Sequence, residues 1–131
     1  MNKVTDKFAF ITGGTQGLGA AIAREFANNE CAGIVTVGRK EEEGKEVANK
    51  IFADTGCPVH FIKTDLTNIN DCKKAMAFMK NTFGRLDILV NAAGMTDRGT
   101  IVDTSEELFD KMIGTNLKGP FFLIQEATKI M

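Results

Sequence analysis

Thr12-Gly13-Gly14-Thr15-Gln16-Gly17-Leu18-Gly19 follows the apolar run Phe8-Ala9-Phe10-Ile11 and opens the helical pattern Ala20-Ala21-Ile22-Ala23-Arg24-Glu25-Phe26. A strand, a glycine-rich turn and a helix in that order form a phosphate site. The first N–H groups of a helix lack intrahelical partners and carry partial positive charge, and residues without a Cβ let a pyrophosphate approach them. The stretch therefore points to a dinucleotide, the plainer alternative being a tight strand-to-helix turn.

The spacing of the glycines narrows the type of turn. Gly13, Gly17 and Gly19 read G-x-x-x-G-x-G, whereas the commoner G-x-G-x-x-G fingerprint fails because Ile22 stands where its third glycine should be. A nucleoside-triphosphate loop fails as well, since it needs a lysine after the last glycine and Ala20 is there instead.

Outward from this turn, strand-like and helix-like segments alternate. Gly33 to Val37 is a β-branched run ending at Gly38-Arg39. Glu41 to Thr55 carries Val47, Ala48, Ile51 and Phe52 as an apolar helical stripe and stops at Gly56. Val59 to Lys63 reads as a third strand, with His60 on its less buried face, and leads to Thr64-Asp65. A third helix runs from near Asn68 to Phe83, with Ala75, Met76, Met79 and Phe83 on one face and Gly84 as its stop. Leu86 to Val90 forms strand four and enters Asn91-Ala92-Ala93-Gly94. A last helix begins at the capping-box pattern Thr104-Ser105-Glu106-Glu107 and continues through Leu108, Met112, Ile113 and Phe122. The order βαβαβαβα, with near-continuous apolar strands and crossovers of helical length, predicts a doubly wound, Rossmann-like α/β domain over residues 1–131 built on a parallel sheet. Ligands of such sheets sit at the carboxyl ends of the strands.

Bulk properties set limits on partners. The chain has 131 residues, 44% hydrophobic and 25% charged, and a net charge of -1 with its Lys and Arg dispersed. That leaves no basic stripe for nucleic acid or an anionic membrane. The lead from Met1 to Lys7 has neither a long apolar stretch nor a small-residue cleavage pattern, which places the chain in the cytoplasm. Cys31, Cys57 and Cys72 are odd in number, contain no C-x-x-C pair and share the chain with one histidine, His60. No metal site is expected, and the cysteines read as reduced packing residues.

Together the strand ends resemble the short-chain dehydrogenase/reductase family. Thr12 to Gly19 matches its T-G-x-x-x-G-x-G, Asp65 its acidic residue after strand three, Asn91 to Gly94 its N-A-A-G, and Asn116 to Phe121 its N-x-x-G-x-F. The resemblance covers nearly the whole chain. It implies a nicotinamide cofactor held by Gly13, Thr15, Gln16, Gly17, Leu18 and Gly19. Asp65 would accept from the adenine amino group while the Leu66 backbone reads the ring edge. Asn91 would tie strand four to its neighbours, with Ala92, Ala93 and Gly94 small enough to let the cofactor lie against the backbone. At the end of strand two an acid would select NAD through the ribose hydroxyls; Gly38-Arg39 offers a guanidinium suited to a 2′-phosphate, which favours NADP over NAD. Glu41-Glu42-Glu43 weakens that local positive field.

Asn116 is the one catalytic residue the resemblance assigns here. Pro120 has no N–H, so the Asn116 carbonyl should lose its helical partner and the helix should kink. In the family the backbone at this asparagine holds a water in the proton relay behind a tyrosine and a lysine. The chain contains no tyrosine, and Ser105, its sole serine, sits at a helix cap. The family's catalytic tyrosine, lysine and serine are therefore expected beyond Met131, so this stretch alone should be inactive. Two readings follow: the cofactor-binding half of an oxidoreductase acting on a small alcohol or ketone, homo-oligomeric at full length, or a catalytically inactive half-domain that binds a nucleotide or another chain. An unpartnered last helix and an unfinished sheet edge would favour association. Met95 to Val102 is the segment placed to line a substrate pocket.

Overall fold

The computed structural model describes residues 3–97 and 99–131; Met1 and Asn2 of the N-terminal lead and Arg98 of the segment after strand four lie outside them. Strand β1, Phe8–Thr12, is central, pairing in parallel with β2, Gly33–Gly38, on one side and with β4, Ile88–Asn91, on the other. Strand β3, Val59–Lys63, pairs with β2, which gives the sheet order β3-β2-β1-β4. The chain thus steps outward from β1 to β3 and returns to lay β4 on the far side of β1. That reversal opens a crevice at the carboxyl ends of β1 and β4.

Alternation along β1 explains the two layers of helix. Ala9 and Ile11 face helices α1, Gly17–Asn28, and α2, Glu41–Thr55, in a cluster with Ala23, Ala27, Ile34, Ala48 and Ile51. Phe10 points the other way, into Val35, Val37, Met76, Met79 and Leu123 beneath helices α3, Ile69–Phe83, and α5, Gly119–Thr128. Burying Phe10 alone contributes about 2–3 kcal/mol. Helices α2 and α3 both stop at left-handed glycines, Gly56 and Gly84, whose N–H groups bond back to Phe52 and Lys80.

Three local expectations are corrected. Phe52 is 53% exposed, and α2 buries Gly44, Ala48 and Ile51 instead, because Phe52 lies one residue, about 100°, past the buried stripe. Strand β4 starts at Ile88, with Leu86 buried in the connecting segment before it. The last helix is two: α4, Glu106–Ile113, and α5, joined by a π-helical turn over Gly114–Lys118. The residue that caps α4 is Ser105, whose hydroxyl accepts from Leu108 N, while the Thr104 hydroxyl donates to the Thr100 carbonyl. Ser105 is thus the cap that its sequence position suggested, and with Leu108 three residues on, no reciprocal carboxylate bond of a capping box accompanies it.

The final third also differs in burial. Helix α4 buries no residue, and Phe109, Ile113, Leu117, Phe121 and Ile124 stand exposed along α4, the π turn and α5. No helix among the described residues is long and apolar enough to cross a membrane.

Candidate functional site

The glycine turn is fastened before it can present anything. Gly13 N and Gly14 N both donate to the Val37 carbonyl of β2, at 3.0 and 3.2 Å. Thr12 Oγ1, buried at the end of β1, accepts from Ala93 N at 3.0 Å and so joins the β1 and β4 ends. This tie between β1 and β4 comes from Thr12, the threonine that opens the glycine motif. Gly13 has φ 75, and a Cβ there would lie 3.1 Å from the Ala93 backbone. At Gly19 a Cβ would stand 2.2 Å from the Gly13 carbonyl oxygen, so α1 can begin this close to the turn only with glycine at that position.

With Gly13 and Gly14 committed to β2, the donors left for an anion are those at the start of α1. Gln16 precedes the helix in extended conformation, makes no side-chain cap bond, and the first turn holds no acidic residue. An uncapped, acid-free helix start combines unpaired N–H groups with the positive end of the helix dipole. This local electrostatic state fits a pyrophosphate.

The space beside it is a cleft of about 230 Å³. Of the residues selected from sequence, Gly13, Thr15, Gln16, Arg39, Asp65, Leu66, Ala92, Ala93 and Gly94 line it. Asn91 and Asn116 do not, and Gly17, Leu18 and Gly19 stand beside it as the first residues of α1, whose N–H groups are the ones left for an anion, with Gly19 also packed behind the Gly13 carbonyl and the Leu18 side chain exposed. Lys40, Thr64 and Thr115 also line the cleft and were not singled out from the sequence. Lys40 directly follows Arg39 and was legible as a second cation; Thr115 reaches the cleft through the π turn, which no sequence period announces. Of the segment expected to border a substrate pocket, Met95 does line the cleft, whereas Ile101 and Val102 are 97% and 86% exposed.

At the cleft's rim the charges are arranged unequally. Lys40 Nζ is 3.8 Å from Glu43 Oε2, whereas Arg39 forms no salt bridge among the described residues. Asp65 Oδ1 accepts from Thr67 Oγ1 at 2.7 Å and Thr67 N at 2.9 Å. These bonds hold the Asp65 carboxyl below the usual carboxylate range, with the charges of Arg39 and Lys111 adding to the effect. Thr67, two residues after Asp65, forms the Asx-type turn that a D-x-T spacing permits.

The Asn116 side chain bonds the segment after β4. Its Oδ1 accepts from Met95 N at 2.8 Å and its Nδ2 donates to the Met95 carbonyl at 2.7 Å, clamping the segment after β4 to the π turn. The backbone at this point is not the simple Pro120 kink expected. Pro120 sits in the first turn of α5, and the chain widens so that Gly119 N donates to the Gly114 carbonyl, a five-residue step. Gly119 packs on the Leu66 carbonyl, where a Cβ would lie 2.5 Å from the oxygen, so the close approach to the cleft floor sets the wider turn.

Comparison with known proteins agrees with this geometry. The sequence profile of the family described as short chain dehydrogenase matches residues 7–131. An uncharacterized oxidoreductase of Staphylococcus aureus (strain MW2) is 36% identical over 131 residues, covering 100% of this chain and 55% of its own length. A short chain dehydrogenase from Burkholderia cenocepacia J2315, solved in complex with NADP, superposes with a TM-score of 0.93 at 29% identity, over 99% of this chain and 53% of that one. L-Sorbose reductase from Gluconobacter frateurii, solved with NADPH and L-sorbose, gives 0.94 at 27% identity, over 98% and 49%. The chain spans about half the length of the curated relatives it matches.

Proposed function

Since this chain belongs to the short-chain dehydrogenase family, we propose that it is the cofactor-binding part of an oxidoreductase that moves hydride between a nicotinamide and a small alcohol or carbonyl substrate, with NADP preferred over NAD. The observation that carries the reading is the uncapped, acid-free start of α1 opening beside a cleft lined by Gly13, Arg39, Asp65 and Ala93.

Each part of the cofactor has a residue suited to it. The α1 N-terminus, with Thr15 and Gln16, suits the pyrophosphate; Arg39, outside any salt bridge among the described residues, suits a ribose 2′-phosphate as a planar, permanently charged donor. Asp65 keeps its Oδ2 for an amino group while Thr67 holds Oδ1. Ala92, Ala93 and Gly94 leave their backbone uncovered by bulky side chains. A bound nicotinamide would supply the hydride acceptor or donor. The Asn116 clamp fixes Met95 beside the cleft, and the Asn116 backbone is assigned the water-holding role in the proton relay.

The chain contains no tyrosine, and a tyrosine is the proton donor this chemistry uses; we assign that group, with its lysine and serine, to sequence outside these 131 residues. This stretch alone then binds dinucleotide without turnover. The exposed line Phe109, Ile113, Leu117, Phe121 and Ile124 supports self-association as a second property. The test is fluorescence titration with NADPH and NADH, together with an NADPH-consumption assay on a panel of ketones. Saturable binding, tighter for NADPH, without turnover is expected. Tighter NADH binding overturns the role of Arg39, and an absence of binding to either overturns the reading.

A further inference from the structure

At the opposite end of the sheet from the cleft, a cavity of about 530 Å³ is lined by the last turns of α1 and α2 and the residues entering β2 and β3, Cys31 and Cys57 among them. These two cysteines hold equivalent places in successive helix-to-strand connections. Helix α1 passes through Glu30, at φ 66, into Cys31; α2 passes through Gly56, at φ 78, into Cys57. In both, a left-handed residue reverses the chain and delivers a cysteine two residues ahead of a strand. Strands β2 and β3 are neighbours, with Ile34 opposite Val59, and continuing that register sets Cys57 beside Ala32, the residue after Cys31.

The contacts bear this out. Cys57 Sγ donates to the Cys31 carbonyl at 3.1 Å, and Cys31 Sγ donates to the Lys7 carbonyl at 3.0 Å. The Cys57 sulfur thus lies against the backbone of Cys31 itself, and both residues line the same cavity. Cys72 is on the other face of the sheet, in the cluster around Phe10 and Leu66.

We propose that Cys31 and Cys57 form a dithiol site which a low-molecular-weight disulfide, such as oxidised glutathione, converts to an intramolecular disulfide. One cysteine thiolate attacks the glutathione disulfide, forming a mixed disulfide and releasing one glutathione. The second thiolate then attacks the protein-side sulfur and releases the other. Two protein S–H bonds are lost, one S–S bond forms, and the two protons end on the two glutathione thiols. The Lys7 carbonyl, deprived of the Cys31 thiol, keeps the Ala32 N–H at 2.8 Å. Burial pushes both thiols up, Cys57 to about 11, so closure is slow near neutrality and quickens about tenfold per pH unit until the thiol ionises.

The experiment exposes the native chain to oxidised glutathione at near-neutral and at alkaline pH, with circular dichroism confirming the fold. Alkylation in denaturant and peptide mass mapping follow. The expected product has a Cys31–Cys57 bridge, a mass lower by two hydrogen atoms, and free cysteines reduced from the three of the untreated chain to Cys72 alone. It should form faster at alkaline pH, and Cys31→Ser should stop at a glutathione adduct on Cys57. Three alkylated cysteines after prolonged alkaline exposure, a bridge to Cys72, one between chains, or a bridge formed only in unfolded protein would overturn the assignment.

Discussion

Helices α1 and α3 start at the same end of the sheet, each after a parallel strand, and treat their first N–H groups in opposite ways. Helix α3 is closed: the Asn68 side chain accepts from Asp71 N, Asp71 lies in the first turn, and its carboxylate takes the Asp65 N–H at 3.0 Å. Helix α1 is open: Gln16 gives no cap bond and no acid follows it. Both helices carry the same macrodipole, so the difference lies in the side chains placed at the start. One helix satisfies itself; the other is left for a ligand.

The largest effect on this contrast should come from the turn that keeps α1 open. Gly19→Ala places a Cβ against the Gly13 carbonyl oxygen, 2.2 Å away in the present backbone, and the turn must shift. NADPH affinity should fall about a hundredfold or more, with a loss of about 1–3 kcal/mol in stability. Isothermal titration and urea unfolding would measure both, and unchanged affinity would separate the glycine turn from the site. Arg39→Ala comes next. NADPH binding should weaken about tenfold while NADH binding holds, because only the 2′-phosphate needs the guanidinium.

The α/β order was legible because each element carried its own local signal. The β-branched run of β2, the alternation of β3 and the stops at Gly56 and Gly84 all lie within a few residues of what they determine. What escaped the sequence depends on distant partners. The Thr12 hydroxyl meets Ala93, 81 residues away, and Asn116 meets Met95, 21 residues away. No local pattern contains either pairing. The π turn depends on Gly119 settling against Leu66, and the exposure of Phe52 on a difference of one residue in helical phase. Ser105 was legible as a helix cap from its place before an acidic first turn, and it does cap α4.

Smaller changes should leave the cofactor untouched. Asp87 accepts from Arg85 at 2.6 Å and from Phe8 N at 2.9 Å, and these bonds, the Arg85 one foremost, hold its carboxyl below the usual range. A depressed folded value means the stabilisation is complete above the unfolded value of about 3.9 and is lost as pH falls through the folded one. Asp87→Ala should therefore cost about 1 kcal/mol at neutral pH and flatten the decline of stability below about pH 4, read from urea midpoints across a pH series. Asn68→Ala should cost about 0.5–1 kcal/mol by uncapping α3, with the NADPH dissociation constant unchanged.

The open start of α1 is tested most directly by closing it. Gln16→Asp supplies both the cap oxygen and the acid that α1 lacks, so it should melt at a higher temperature than the parent while binding NADPH about tenfold more weakly. Side-by-side NADPH fluorescence titrations of the two proteins read this difference. Weaker binding by the better-capped protein is the predicted result; equal or tighter binding would contradict the assignment of α1 as the phosphate seat.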